Sequence, residues 1–383
     1  MRRMREWPAK RSVALAAAGL ALVAVVLGAI LWRPWADETR VYQPRELVSG
    51  GNQPPAPRVA PELELLDGAA LAQAAAYAGE HGSRALIVSR HDHIVFERYW
   101  KGTSFDTLAD GQSFTRLLAA LAAGAAMSHR LLGWPDEPVG MLLSEWSHDP
   151  RGAITVRNLM QMSSGLVTAP NAAAGDPAAA LSAPLLRSPG LARVDQSVDP
   201  QLLALVLERA THERYASYLS RAVWRRVGAA DAWLWLDRPG GTVHADCCMI
   251  ARQGDWIRIG ELLLKDGNYR GEEVIRPGWV TLMRAPAKAD PDYGAYVRLG
   301  THTTPGAEPY AAPDVFVVEG AGGNRLWLEP SLQIAILCTG PPAGRDTGWD
   351  DARIPNLIIR AARDYVPAAT RPGMDISSLV PGH

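Results

Sequence analysis

The residues best placed to do chemistry are Ser113 and Arg116, in the run GQSFTRLLAALAAGAAM at positions 111–127. A serine at the mouth of an apolar helix sits at the positive end of the backbone dipole. A group three residues on lies one turn further along nearly the same face. This spacing suits nucleophilic catalysis when the second residue is a lysine, which can shed its own proton and accept that of the serine. Arginine stays protonated, with a pKa above about 12, so Arg116 cannot be a general base near neutral pH, although it can hold an anion or a carboxylate. The other role open to Ser113 is a helix N-cap, its hydroxyl bonded to the free amides of the first turn.

Other candidates carry ordinary readings. His91 and His93 lie in a polar RHDH between two β-rich runs, which marks a hairpin tip rather than a metal pair. The histidines show no ligand spacing such as His-x-x-x-His, so no metal or other cofactor is expected. Cys247, Cys248 and Cys338 are too few for a disulfide framework, and adjacent Cys247 and Cys248 are a poor start for a zinc site. All three read as buried small residues. Tyr215 with Ser217 falls in mid-helix, and Glu319 reads as an exposed glutamate at a strand end.

The elements that would position Ser113 follow from periodicity. Two β-rich runs in SRALIVSRHDHIVFERYW precede it, and helical patterns follow from Phe114 to about Leu143, in ITVRNLMQMSSGL, across residues 200–228 and in RQGDWIRIGELLLKDG. Residues 170–195 read as irregular. After Pro291 the pattern returns to short strands, and a helix over about 350–364 closes the chain. Strands at both ends with helices between imply an α+β sheet whose halves are separated by a helical insertion. With 383 residues, 48% of them hydrophobic, the chain can bury a large core; 39 basic against 40 acidic residues give no attraction to nucleic acid.

The N-terminus reads differently. MRRMREWPAKR is strongly basic, and the uncharged apolar run at residues 12–32 is long enough as a helix to span the ~30 Å hydrocarbon layer. It ends in Trp32, Arg33, Pro34 and Trp35, which suit an interface better than a cleavage site. Residues 1–35 are thus expected to be a cytoplasmic basic segment and an uncleaved single-pass anchor in the inner membrane, with the rest periplasmic or extracellular. Residues 36–61, rich in Gly and Pro, read as a tether, residues 62–365 as the folded domain and residues 366–383 as a tail.

Several blocks in order, IVFERYWKG, WSHDPRGAITVRNLMQMSSGL, QLLALVLERAT, HADCCMIARQGDWIRIGELLLKDGNYRGEEVI and GAGGNRLWLEP, resemble the β-lactamase-related serine hydrolases. That family includes class C β-lactamases, penicillin-binding proteins and 6-aminohexanoate-dimer hydrolases. The resemblance implies a β-lactamase/transpeptidase-like fold, an antiparallel sheet flanked by helices with an inserted helical subdomain. It also implies three catalytic stations: Ser-x-x-Lys, a Tyr-x-Asn or Tyr-x-Ser, and a Lys-Thr-Gly or His-x-Gly on a late strand. Ser113 and Arg116 fill the first frame. At the second, RVDQSVDPQLL puts Asp195 where tyrosine is implied and Ser197 two residues on. At the third, Gly320, Ala321, Gly322 and Gly323 form the frame, with Ala321 in place of histidine.

Three working groups missing together point to a catalytically impaired homologue that acts by binding a peptide, amide or ester ligand, or an envelope protein. The alternative is an active esterase, amidase or β-lactamase-like hydrolase using Ser113 with an altered general base. If the frame holds, Arg116 should face Asp195 and form an ion pair within about 4 Å.

Overall fold

The computed structural model describes residues 41–168, 176–300, 308–340 and 348–364. In the strand Ile334–Thr339, Ile334, Ile336 and Cys338 join one apolar cluster while Ala335 and Leu337 join another. The same alternation separates Leu86 and Val88 from Ile87, and Trp327 from Leu326 and Leu328. Period-two alternation buried on both faces is the mark of a sheet covered on both sides.

The strands of the two larger sheets are β1 (Arg45–Val48), β2 (Ala85–Arg90), β3 (His93–Tyr99), β4 (Leu108–Asp110), β5 (Ala232–Trp235), β6 (Met249–Arg252), β7 (Arg298–Leu299), β8 (Phe316–Glu319), β9 (Arg325–Glu329) and β10 (Ile334–Thr339). Six of them form an antiparallel sheet in the order β3-β2-β10-β9-β8-β7. The first two strands thus pair with the last four across a helical insertion, as expected. The β2–β3 hairpin turns on His91 and Asp92, both at positive φ (49° and 65°), the geometry of a tight two-residue turn. Its two histidines bond through Nδ1 to one carboxylate, Glu64, at 2.7 Å each.

Helices α1 (Gly68–Glu80) and α6 (Arg353–Arg360) cover one face of the sheet. On the other face lie α2 (Phe114–Ser128), α3 (Val156–Met160), α4 (Val198–Thr211) and α5 (Trp256–Leu264). The α2 sequence is apolar almost all round, and residues 117–127 are buried without interruption, as such a pattern requires. The helix ends at Ser128, earlier than the pattern to Leu143 suggests. Beyond it, residues 129–153 form turns and one-turn helices, because Gly133, Pro135 and Pro138 break the helical hydrogen bonding.

A second sheet, order β1-β5-β6-β4, is not foreshadowed by the resemblance. It corrects the expected tether: β1 pairs with β5 from Arg45↔Trp235 to Val48↔Ala232. Beyond it the chain stays docked, with Gln53 O accepting from Arg258 Nη2 at 2.7 Å. At Gly50 any Cβ would lie 2.2 Å from the Ala229 carbonyl oxygen, so a glycine that looks like a linker residue is required by close packing. Pro57 and Val59 exchange backbone hydrogen bonds with Ile94 on β3 (2.9 and 3.1 Å), and Arg58 pairs with Glu97 at 2.7 Å. The ordered body therefore begins well before residue 62. Among the described residues no helix is long and apolar enough to cross a membrane; residues 12–32 and 366–383 lie outside the described residues.

Gly124 shows how tightly α2 is held. The Trp279 indole lies against it, donating to the Ala120 carbonyl at 3.1 Å, and an added Cβ would fall 2.4 Å from Trp279 Nε1. Alanine gains about 1 kcal/mol of helix propensity, but overpacking costs about 1–3 kcal/mol. Gly124→Ala should therefore lower the thermal unfolding midpoint, contrary to its effect in an exposed helix.

Candidate active-site cleft

Where α2 begins, a small open cleft of about 50 Å³ is lined by Ser113, Arg116, Met162, Arg193, Asp195, Tyr293, Tyr296, Arg298 and Glu319 among others. Gln112, just before the serine, adopts φ 51°. Asp110 at the end of β4 holds it there, accepting from the Gln112 amide and from Nε2, each at 2.8 Å. A non-glycine residue at positive φ costs energy and is kept where the surroundings fix it, often at functional sites.

Ser113 stands at the N-cap position of α2 but has helical φ/ψ, and its side chain makes no capping bond. Its hydroxyl has no hydrogen-bond partner among the described residues, so the capping role does not hold. Capping needs an extended backbone at that position, which Ser113 lacks. The hydroxyl is left facing the cleft with no base attached.

The opposite wall is fixed from below. Asp199, fully buried on α4, accepts from Ser164 Oγ at 2.5 Å. The adjoining Ser163–Ser164 turn is stitched to the loop before α4, with Gly190 N donating to Ser163 O at 2.7 Å and Val194 N to Met162 O at 2.8 Å. This loop carries Asp195 across from α2. Arg116 Nη1 meets Asp195 Oδ1 at 2.5 Å, as the frame implied, while Arg116 Nε donates to the Asp246 carbonyl at 3.1 Å. Asp195 also takes Arg193 Nη2 on its other oxygen at 3.3 Å, and the Arg193 guanidinium lies 3.6 Å from the Tyr293 ring centroid. The Arg116 side chain is 16% exposed and that of Asp195 58%. Water thus reaches the pair, which places it near about 1 kcal/mol rather than the ~3–5 kcal/mol lost when a fully buried pair is broken.

Glu319, at the end of β8, faces the cleft instead of standing free. Its Oε1 contacts Arg298 Nε at 3.0 Å and Arg325 Nε at 3.7 Å, because β7 and β9 flank β8 and present arginines to it. Arg298 and Arg325 also pair with buried Asp351. Burial disfavours the charge on Arg298, yet Glu319, Tyr310 and Asp351 together hold its pKa above the ordinary value. The two cleft phenols are no bases either: desolvation raises the pKa of Tyr293 and carries that of Tyr296 well above the usual value, with Tyr296 OH donating to the Leu159 carbonyl at 3.0 Å. The described lining contains no histidine and no lysine.

Of the other expected site residues, Ser197 sits at the start of α4 without a capping bond and does not line the cleft. Gly320 follows β8, and Gly322 and Gly323 turn the chain at φ 73° and 81°. A Cβ at Gly320 would come within 2.9 Å of Asn324 Cβ. Ala321 opens that one-turn segment, in the frame where histidine was implied. Tyr215 is fully buried with its hydroxyl unpaired, outside the cleft, and Ser217 is exposed.

Arg193, Arg298, Tyr293 and Tyr296 were missed. Arg193, two residues before Asp195, was the one available signal; Arg298 arrives through sheet pairing, and Tyr293 and Tyr296 in the turn just before it, neither of which spacing encodes. A second correction concerns the cysteines. Cys247 and Cys248 are bonded to each other, with Cys248 at φ 75° in the turn that brings their sulfurs together. Cys338 is buried and free, its pKa raised to about 11 by burial.

The family model for β-lactamase matches residues 69–353, and the chain belongs to that family. It is 28% identical over 151 residues to the 6-aminohexanoate-dimer hydrolase of Paenarthrobacter ureafaciens, a match spanning 37% of each chain. Its fold is similar to that of a penicillin-binding protein homologue from Caulobacter crescentus (TM-score 0.61, 15% identity, 76% of this chain and 97% of the other). It is also similar to EstCE1, described as a hydrolase with promiscuous acyltransferase activity (TM-score 0.63, 16% identity, 78% and 99%).

The buried carboxyl beneath the Asp195 loop gives a pH signature. Desolvation, partly offset by Ser164, raises the pKa of Asp199 from 3.8 to about 7. A folded-state pKa above the unfolded one means that this contribution to stability is complete below about pH 4 and is lost as pH rises through about 7. The upper limit is on the order of 4 kcal/mol. Glu329, also raised to about 7 by burial, adds a loss of the same sign. Asp199→Asn, uncharged throughout, should flatten but not abolish the fall in unfolding midpoint between about pH 5 and pH 8.

Proposed function

We propose that the domain is a non-hydrolytic, ligand-binding member of the β-lactamase family, held outside the cytoplasm by a membrane anchor at residues 12–32. The observation that carries this reading is the Arg116–Asp195 contact beside a Ser113 hydroxyl that has no partner among the described residues. In the first two stations, a cation that cannot lose its proton and a carboxylate held by two guanidiniums replace the groups that pass protons. The cleft lining offers three arginines, 116, 193 and 298, against two carboxylates, Asp195 and Glu319. It therefore favours an anionic ligand, such as a peptide, amide or ester bearing a carboxylate, which would compete with Asp195 for Arg116 and Arg193 through charge-assisted hydrogen bonds. Ser113 would then donate a hydrogen bond to the ligand rather than attack it.

The test is covalent labelling of the purified protein with a fluorescent penicillin and a fluorophosphonate, with Ser113→Ala beside it. No Ser113-dependent labelling is expected; labelling that disappears in the variant would establish the active hydrolase instead. The triple change Arg116→Lys, Asp195→Tyr and Ala321→His should recover weak esterase activity, whereas Arg116→Lys alone should not, because groups that act as a unit are non-additive. For the anchor, a reporter enzyme that works only in the periplasm, fused after His383, should be active. An inactive but expressed fusion would overturn the proposed topology.

A further inference from the structure

Beside Arg116 lies a polar cluster that the cleft's charge network does not use. His244 and Asp246 are 3% and 4% exposed, yet among the described residues neither ring nitrogen of His244 nor Oδ1 of Asp246 has a hydrogen-bond partner. Buried polar atoms are nearly always paired, because leaving them unpaired forfeits their hydration with nothing in return. One ligand atom from each of His244, Asp246 and Cys247 falls in a group whose members all lie within 4.8 Å of one another. The His244 ring is stacked on Trp235 with centroids 3.9 Å apart, which fixes its orientation without using either nitrogen. An imidazole nitrogen, a carboxylate oxygen and a cysteine sulfur are together the donor set of a borderline-soft divalent cation, and three protein ligands leave a fourth position open.

Cys247 is not free in this structure; it is bonded to Cys248. We propose that His244, Asp246 and Cys247 form a site for a divalent cation of the zinc class, closed while the Cys247–Cys248 disulfide is intact and opened when a dithiol reduces it. One thiolate of the reductant attacks a cysteine sulfur to give a mixed disulfide. Its second thiol resolves that bond and leaves as a cyclic disulfide, so two electrons pass to the cysteines and both emerge as thiols. Cation binding then displaces the Cys247 proton to solvent, while the imidazole and the carboxylate bind as they stand. Cys247 is the member of the cluster that is partly exposed, which gives reductant and cation a way in. The site abuts the cleft, since the Asp246 carbonyl holds Arg116 Nε and the Met249 amide donates to Thr115 Oγ1 at 3.1 Å. The sequence conceals the site because adjacent cysteines match no zinc spacing; the turn at Cys248 and the His-x-Asp offset supply the convergence. The inference does not depend on whether Ser113 is a nucleophile.

The test uses the full-length protein, reduced with dithiothreitol, freed of reductant without oxygen, and titrated with Co²⁺ and then Zn²⁺, beside the same protein left oxidised. The reduced protein should bind one Co²⁺ per chain with a thiolate-to-cobalt absorption band that Zn²⁺ abolishes, and the oxidised protein should not bind. Cys248→Ser, which keeps all three ligands and cannot form the disulfide, should bind without prior reduction. His244→Ala should lose binding, and if it does not fold, Asp246→Asn should show the same loss. No binding by the reduced protein, binding without the thiolate band, or absence of binding by folded Cys248→Ser overturns the cation site. Equal binding by the oxidised protein overturns the redox gate.

Discussion

The burial of α2 on every side governs the rest of the molecule. Small residues let α4, the helical segment 215–224, β8 and Trp279 approach the helix closely, so its axis and rotation are set by packing on both flanks. Ser113 and Arg116 ride on its first turn and cannot move independently of the core. The strained Gln112 and its Asp110 partner finish the job by fixing how the chain enters that turn. Each wall of the cleft is then defined by what it brings to a fixed point.

A guanidinium at that point imposes its own logic. It cannot be neutralised, and on a packed helix it cannot swing far into solvent, so the neighbouring loops must answer it with acceptors. Asp195 and the Asp246 carbonyl do so from separate segments, and Arg193 recruits the second oxygen of Asp195. The same pattern recurs on the sheet side, where Glu319, Arg298, Arg325 and Asp351 compensate one another. Both walls of the cleft thus carry ion pairs, Asp195 with Arg116 and Arg193 on one and Glu319 and Asp351 with Arg298 and Arg325 on the other.

The sequence made the order of elements, the β2–β3 hairpin and the facing of Arg116 and Asp195 legible, because these follow from local period, turn chemistry and a family frame. It hid whatever depends on side chains meeting across long separations. Glu319 looked exposed because its partners come from the flanking strands β7 and β9. Cys247 and Cys248 looked inert because their bond depends on a left-handed turn. Residues 45–61 looked like a linker because the Gly and Pro residues that let an extended chain lie against a surface are also those of a free one. Ser113 lost the capping role on a backbone angle that residue type alone does not reveal.

That docked segment has a mechanical consequence. An outer strand of a sheet offers a row of unused amides and carbonyls to any other chain. At one margin of the six-stranded sheet β7 is only two residues long, and at the other the backbone of Pro57 and Val59 bonds to Ile94 while Arg58 pairs with Glu97 on β3. The stretch that resembles a linker is therefore a hem sewn along an otherwise open border. Removing the residues before 62 would unpick it and leave the outer edge of β3 open to pairing with another chain.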